Sequence, residues 1–164
     1  MPKKTFILYA RNFIFGSEDS LVSTVGLLAG IASAGVGRKE IIVSGIILIC
    51  VEAFSMSVGS FLSETETEES SYKKIEKNNH SLIASFIMLV SYIVCGLIPL
   101  SPYFFMDTGQ AFWWSILMSI VFLFALGLIS AKILKIRVWR TALRMTIMGG
   151  LAIGLGVAVG LLIK

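Results

Sequence analysis

The glutamate Glu52 lies in the middle of the otherwise largely apolar run Ile41–Leu62, and Met56 follows it one helical turn later. A second pair of acids, Glu18 and Asp19, stands at the mouth of the preceding apolar run. An ionisable side chain at the centre of a bilayer costs at least ~2.5–3.5 kcal/mol on insertion scales, so such residues line sites or pathways. Carboxylates combined with a thioether form a ligand set for a divalent transition metal.

The rest of the chain is what membrane burial of such a set requires. Of 164 residues, 56% are hydrophobic and only 15% charged, and the mean hydropathy is +0.88. Each membrane-crossing helix needs roughly 20 predominantly apolar residues. Five such spans are expected, Ile14–Val36, Ile41–Leu62, Leu82–Phe105, Phe112–Ala131 and Ala142–Ile163. They make one all-α transmembrane domain over 1–164, with a short acidic cytoplasmic loop at 63–81 and a basic, aromatic lead-in at 1–13. The net charge of +4 is read as topology and not as a nucleic-acid surface. Lys3, Lys4, Arg11, Lys73, Lys74, Lys77, Lys132, Lys135, Arg137, Arg140 and Arg144 fall at alternate ends of the spans, eleven in all, against Arg38, Lys39 and Lys164, three, at the others. Basic residues accumulate on the cytoplasmic side, which puts the N-terminus in the cytoplasm and the C-terminus outside. The cysteines Cys50 and Cys95 both fall inside spans and are read as core filler.

Taken as a helix, the first span carries Asp19, Ser23, Gly26, Gly30 and Ser33 on one polar, small face. The second carries Glu52, Ser55, Met56, Gly59 and Ser63, extended by Glu66 if the helix continues. Counted from the span ends at the helical rise, Asp19 falls level with Met56 and Glu52 about one turn deeper. Plainer readings exist for each residue. Asp19 could be the N-cap of a shorter span beginning at Leu21, Glu18 a surface acid, Met56 core filler and Glu52 a protonated, hydrogen-bonded core acid. The run Glu64, Glu66, Glu68, Glu69 is either a solvated face or a cytoplasmic collector of cations. No partner is evident for His80. The glycines of the fifth span, Gly150–Gly154 and Gly156–Gly160, have the spacing of close helix packing. An odd number of spans cannot divide into two halves, so a two-fold pathway requires a homodimer.

The stretch Phe15-Gly16-Ser17-Glu18-Asp19-Ser20-Leu21-Val22-Ser23-Thr24, then Ala53-Phe54-Ser55-Met56-Ser57-Val58-Gly59 followed by Leu62-Ser63, resembles the vacuolar iron transporter family, which includes the nodulin-like transporters. Ile98-Pro99-Leu100-Ser101-Pro102-Tyr103 and Ala142-Leu143-Arg144-Met145 resemble its later spans. The resemblance implies five spans, a homodimer and export of ferrous or manganous ions from the cytosol by proton exchange. It maps the family's first-span aspartate onto Asp19 and its second-span methionine onto Met56. The chain departs from the family's pattern at Ser20, where glycine is usual, and at Ser60, where a glutamate is common. The long cytoplasmic metal-binding helices are reduced to Ser63–Ser81. These departures imply weaker cytoplasmic capture and leave Glu52 to replace the ligand lost at Ser60.

The expectation is therefore a multi-pass integral protein of the cell membrane that carries Fe²⁺ or Mn²⁺ as transported ion, with no permanently bound cofactor. Its metal ligands would be Asp19, Glu52, Met56 and Glu18, with possible cytoplasmic capture by Glu64, Glu66 and Glu68. Its partners are the metal ion, protons, the lipid bilayer and a second copy of the chain, with no nucleic acid. No nucleophile–base arrangement suggests an enzyme. The alternatives are a passive cation channel and a non-transporting membrane assembly subunit with a structural Glu52. The charge count generates a direct test: Lys74→Cys should be labelled by an impermeant thiol reagent only from the cytoplasmic side and Thr108→Cys only from outside. Labelling of both from one side would overturn the five-span topology.

Overall fold

The computed structural model describes residues 3–70 and 80–163, which form helices and short connections with no strand among them. Helix α1 spans Lys3–Ser33, α2 Arg38–Ser70, α3 His80–Leu100, the single turn α4 Pro102–Phe105, α5 Thr108–Leu134 and α6 Val138–Ile163. All but α4, five helices, are long and apolar enough to cross a membrane. The chain is an all-α, multi-pass membrane protein.

The helix ends differ from the expected span limits for local reasons. No proline or other breaker separates Lys3 from Ile14, so α1 takes in the lead-in, and it runs unbroken through Glu18 and Asp19. The N-cap reading of Asp19 therefore falls. Helix α2 continues past Leu62 to Ser70, with the hydroxyls of Thr65 and Thr67 donating back to the carbonyls of Phe61 and Ser63. The first part of the expected loop is thus helical, and 71–79 lie outside the described residues. Pro99, which has no amide hydrogen to give, stands one residue before the end of α3, and Pro102 opens α4.

Two connections are closed by the same device. After α1, Gly35 adopts φ +81°, the amide of Val36 donates to Ile31 O at 3.2 Å and that of Gly35 to Ala32 O at 3.1 Å. This is a Schellman cap, in which a left-handed residue turns the chain while satisfying carbonyls of the last turn. After α5 the left-handed residue is Lys135, at φ 55°, and Ile136 N donates to Ala131 O at 3.0 Å. A non-glycine residue pays about 1–2 kcal/mol for that conformation, and in return only three residues separate α5 from α6. At the opposite end, Arg38 at the start of α2 holds α4 by donating to Tyr103 O at 2.7 Å and Phe104 O at 2.5 Å.

Helix α1 is the centre of the bundle and packs against α2, α3, α5 and α6. Of its apolar window 56% is buried, against 22% for α2 and 17% for α6, so α2 and α6 are the helices with most surface left for lipid or another chain. One core cluster gathers Leu28, Ile41, Ile49, Leu100, Tyr103 and Ala111, and a second gathers Ile14, Leu21, Leu123, Leu126 and Met145. Cys50 is exposed on α2 and not core filler, whereas Cys95 is half-buried. His80 has a partner after all: Nδ1 shares a 2.8 Å hydrogen bond with Tyr9 Oη, because the extension of α1 brings Tyr9 against the start of α3.

The small residues of α1 are used within the chain. A methyl group on Gly30 would stand 2.8 Å from the Gly156 carbonyl oxygen, and one on Gly26 would stand 3.3 Å from that of Ala152. Gly156 and Gly160 face this seam, while Gly150 and Gly154 look onto open space. Gly30→Leu should therefore lower the thermal stability of the folded protomer by about 1–3 kcal/mol through overpacking, measured as unfolding in detergent at a protein concentration low enough to leave only monomer. Unchanged stability there would show that α1 and α6 do not meet at this seam.

Candidate metal site between α1, α2 and α3

Helices α1 and α2 run antiparallel, with polar residues meeting over the Lys3 half of α1 and apolar ones, Leu28 with Ile41 and Ile49, over the other. Arg11 forms an ion pair with Glu64. Ser60 Oγ donates to Asn12 Oδ1 at 2.6 Å, and Asn12 is itself fixed by donating to Leu8 O at 3.1 Å. Further along, Asp19 lies within Coulombic reach of Glu52. The expectation that Asp19 is level with Met56 is corrected by this register. Met56 shares its cleft with Asn12 and Phe15, one turn closer to Lys3. The depth had to be counted from the true helix ends, and both helices are longer than hydropathy alone indicates.

Glu52 is held by a residue on a third helix. Tyr92 of α3 is fully buried, and its hydroxyl donates to Glu52 Oε2. The Tyr92 hydroxyl oxygen also lies 2.7 Å from Ser23 Oγ of α1. A phenol has one proton to give, so with that proton on the carboxylate, Ser23 is the donor to Tyr92. Ser20 Oγ of α1 completes the fixation by donating to the Tyr92 carbonyl at 2.6 Å. Ser20 replaces the glycine that the family pattern leads one to expect, and here it pins the backbone of the residue that holds Glu52. The site thus consists of two carboxylates, a phenol and a serine hydroxyl drawn from three helices.

Met56 follows Glu52 at i+4, so both side chains project from one face of α2. It lines a cleft of about 650 Å³ with Arg11, Asn12, Phe15, Ser60 and Met88. Hard carboxylate oxygen and soft thioether sulfur therefore occupy successive turns on one face of α2, and the cleft at Met56 is lined by neither Glu52 nor Asp19. Ser60 stands eight residues from Glu52, two helical turns or ~12 Å along the axis, so Glu52 does not occupy the place of a ligand at 60.

The remaining expected ligands are placed elsewhere. Glu18 is turned about 100° from Asp19 around α1 and lines a separate cavity with Arg137, Arg140 and Arg144. Its electrostatic neighbours are Asp19 and Arg144. Glu64 closes the end of the Met56 cleft but is engaged by Arg11. Glu66 is exposed, and the side chain of Glu68 lies outside the described residues. Among the described residues no three His, Cys, Asp or Glu side chains come together as a metal cluster. A single chain brings two carboxylates and one sulfur to the path, fewer than a six-coordinate divalent ion takes from protein and water together.

Sequence reasoning missed Tyr92. It sits in α3, an almost uniformly apolar helix with mean hydropathy 2.4 over its apolar window. The available signal was its lone phenol among Ser91, Ile93 and Val94, since a tyrosine buried in hydrocarbon needs a partner for its hydroxyl.

The family model of the VIT family matches residues 10–86 and 67–161, which together take in both motifs of the site and the later helices. Among curated proteins, vacuolar iron transporter homolog 2 of Oryza sativa subsp. japonica is 25% identical over 107 residues, covering 56% of this chain and 57% of that protein. The chain therefore matches little more than half the length of that relative.

The Tyr92–Glu52 bond can be measured as a coupling. Tyr92→Phe should cost about 1–3 kcal/mol of stability, since it strips a half-buried carboxylate of its donor and leaves the Ser23 hydroxyl without its partner. In a Glu52→Leu background the same change should cost less than about 0.5 kcal/mol. Equal costs in the two backgrounds, read from unfolding in detergent, would rule out the interaction.

Proposed function

The chain belongs to the VIT family, and from that premise we propose that it exports Fe²⁺ or Mn²⁺ from the cytosol in exchange for protons, through a path lined by α1 and α2. The observation that carries the proposal is the Asp19 carboxylate of α1 within Coulombic reach of Glu52 on α2, with Met56 one turn from Glu52 on the same face of α2. The carboxylates offer hard oxygen ligands. The thioether adds a preference for transition metals over Mg²⁺ and Ca²⁺, which take oxygen ligands alone.

Proton exchange follows from ligand chemistry. A carboxylate must lose its proton to coordinate, so binding of M²⁺ releases protons and reprotonation from the far side expels the metal. Tyr92 and Ser23 serve Glu52 by holding one oxygen in place and leaving the other to face the path. Two carboxylates and one sulfur per chain leave coordination to be completed by water or by a second copy, and a homodimer supplies the latter. The basic residues at the Lys3 end support a cytoplasmic N-terminus, and the cell membrane is the proposed location.

Flux of metal into liposomes holding the purified protein tests this reading. Glu52→Gln keeps size and hydrogen bonding but removes the exchangeable charge. It should cut metal flux at least about tenfold, equivalent to ~1.4 kcal/mol, and abolish metal-driven proton movement, while yield and thermal stability stay near wild type. Asp19→Asn should behave alike, and Met56→Leu should mainly erode discrimination between Mn²⁺ and Ca²⁺. Metal flux without any proton movement in the wild type would make the protein a passive channel. Normal transport by Glu52→Gln would remove that carboxylate from the cycle.

A further inference from the structure

Helix α6 opens with arginines that the transport path does not use. Arg137 precedes it, and Arg140 and Arg144 follow at spacings that put all three along one side. Its first turn contains no acidic residue. The positive end of the helix dipole therefore coincides with positive side chains, an arrangement that is unfavourable unless an anion joins it.

The three arginines line a cavity of about 580 Å³ between α1, α5 and α6, and the only acid among the lining residues is Glu18. The one ion pair among the described residues is that of Arg11 with Glu64, so none of the three guanidinium groups is neutralised by a described carboxylate at contact distance. Three positive charges against one negative leave an excess of two, before the helix dipole is added. Each guanidinium offers up to five N–H donors in a planar fork suited to phosphate oxygens. The hydroxyls of Ser130 and Thr141 already donate to Leu126 O and Arg137 O, so recognition rests on the arginines. The Schellman cap at Lys135 fixes the start of α6 against the end of α5.

We propose that this cavity binds a phosphomonoester-type dianion, with Arg137, Arg140 and Arg144 as its ligands. A dianion matches the charge excess, and the apolar lining residues Ile14, Leu134 and Met145 leave room for the group to arrive either on a lipid or as free phosphate. Glu18 is the opposing charge in the site. It restrains binding, since a carboxylate beside the anion repels it.

The test uses the full chain in nanodiscs of phosphatidylcholine and two probes: phosphatidic acid mixed into the bilayer, read as lipid retained in native mass spectrometry, and inorganic phosphate, read by titration calorimetry. At least one probe should bind the wild type. Arg140→Gln and Arg144→Gln should each weaken it about tenfold, Glu18→Gln should strengthen it several-fold, and the surface control Lys132→Gln should leave it unchanged. Retention of phosphatidic acid alone identifies a headgroup site, and binding of phosphate identifies a site for the soluble ion. Either supports the proposal. It is overturned if neither probe binds, or if Lys132→Gln weakens binding as much as the arginine variants, which would mean a diffuse basic surface.

Discussion

A carboxylate within an apolar bundle has to be partnered, and in this protein that requirement fixes how three helices meet. Glu52 accepts from Tyr92, Tyr92 accepts from Ser23, and Ser20 ties down the Tyr92 backbone. Each bond crosses from one helix to another, so the acid cannot be satisfied unless α1, α2 and α3 hold their register. A buried polar network of this kind is favourable only while every member is paired. The same bonds settle one oxygen of Glu52 in the neighbourhood of Asp19. Packing and site are therefore one arrangement, and a change that slides α1 along α2 would disturb both.

Much of this was legible before any coordinates. The five apolar segments, the shared face of Glu52 and Met56 on α2, and the use of Gly156 and Gly160 in close packing follow from period and composition. What could not be read was anything requiring a neighbour's position. The polar face of α1 reads as continuous from Asp19 to Ser33, yet α6 covers it at Gly26 and Gly30 and leaves it open at Asp19. Glu18 and Asp19 are adjacent in the chain but the helix turns them about 100° apart, and Glu18 alone of the two lines the arginine cavity. Tyr92 gave no periodic signal because a single phenol on an apolar helix looks like any other large core residue. Helix ends were misjudged for a related reason: hydropathy marks where a segment is apolar enough to cross, whereas helical hydrogen bonding continues until a breaker stops it.

The division of α1 into two halves organises the rest of the bundle. Toward Ser33 it meets α6 with glycine against glycine, which allows backbones to approach without side chains between them. Toward Lys3 its facing residues are polar and paired one by one with α2, from Arg11–Glu64 through Asn12–Ser60 to the Asp19–Glu52 level. One half is closed by shape and the other by hydrogen bonds and charge, so the two halves respond to different things: the first to volume, the second to protons and cations.

The lengths of α1 and α2 carry a mechanical consequence. At 31 and 33 residues they measure ~46 and ~50 Å, well beyond the ~30 Å of hydrocarbon. No proline interrupts either one. Their Lys3 and Ser70 ends lie at the same end of the bundle and are clasped by Arg11 and Glu64, so they project from the bilayer as a pair of stiff rods joined near the tip.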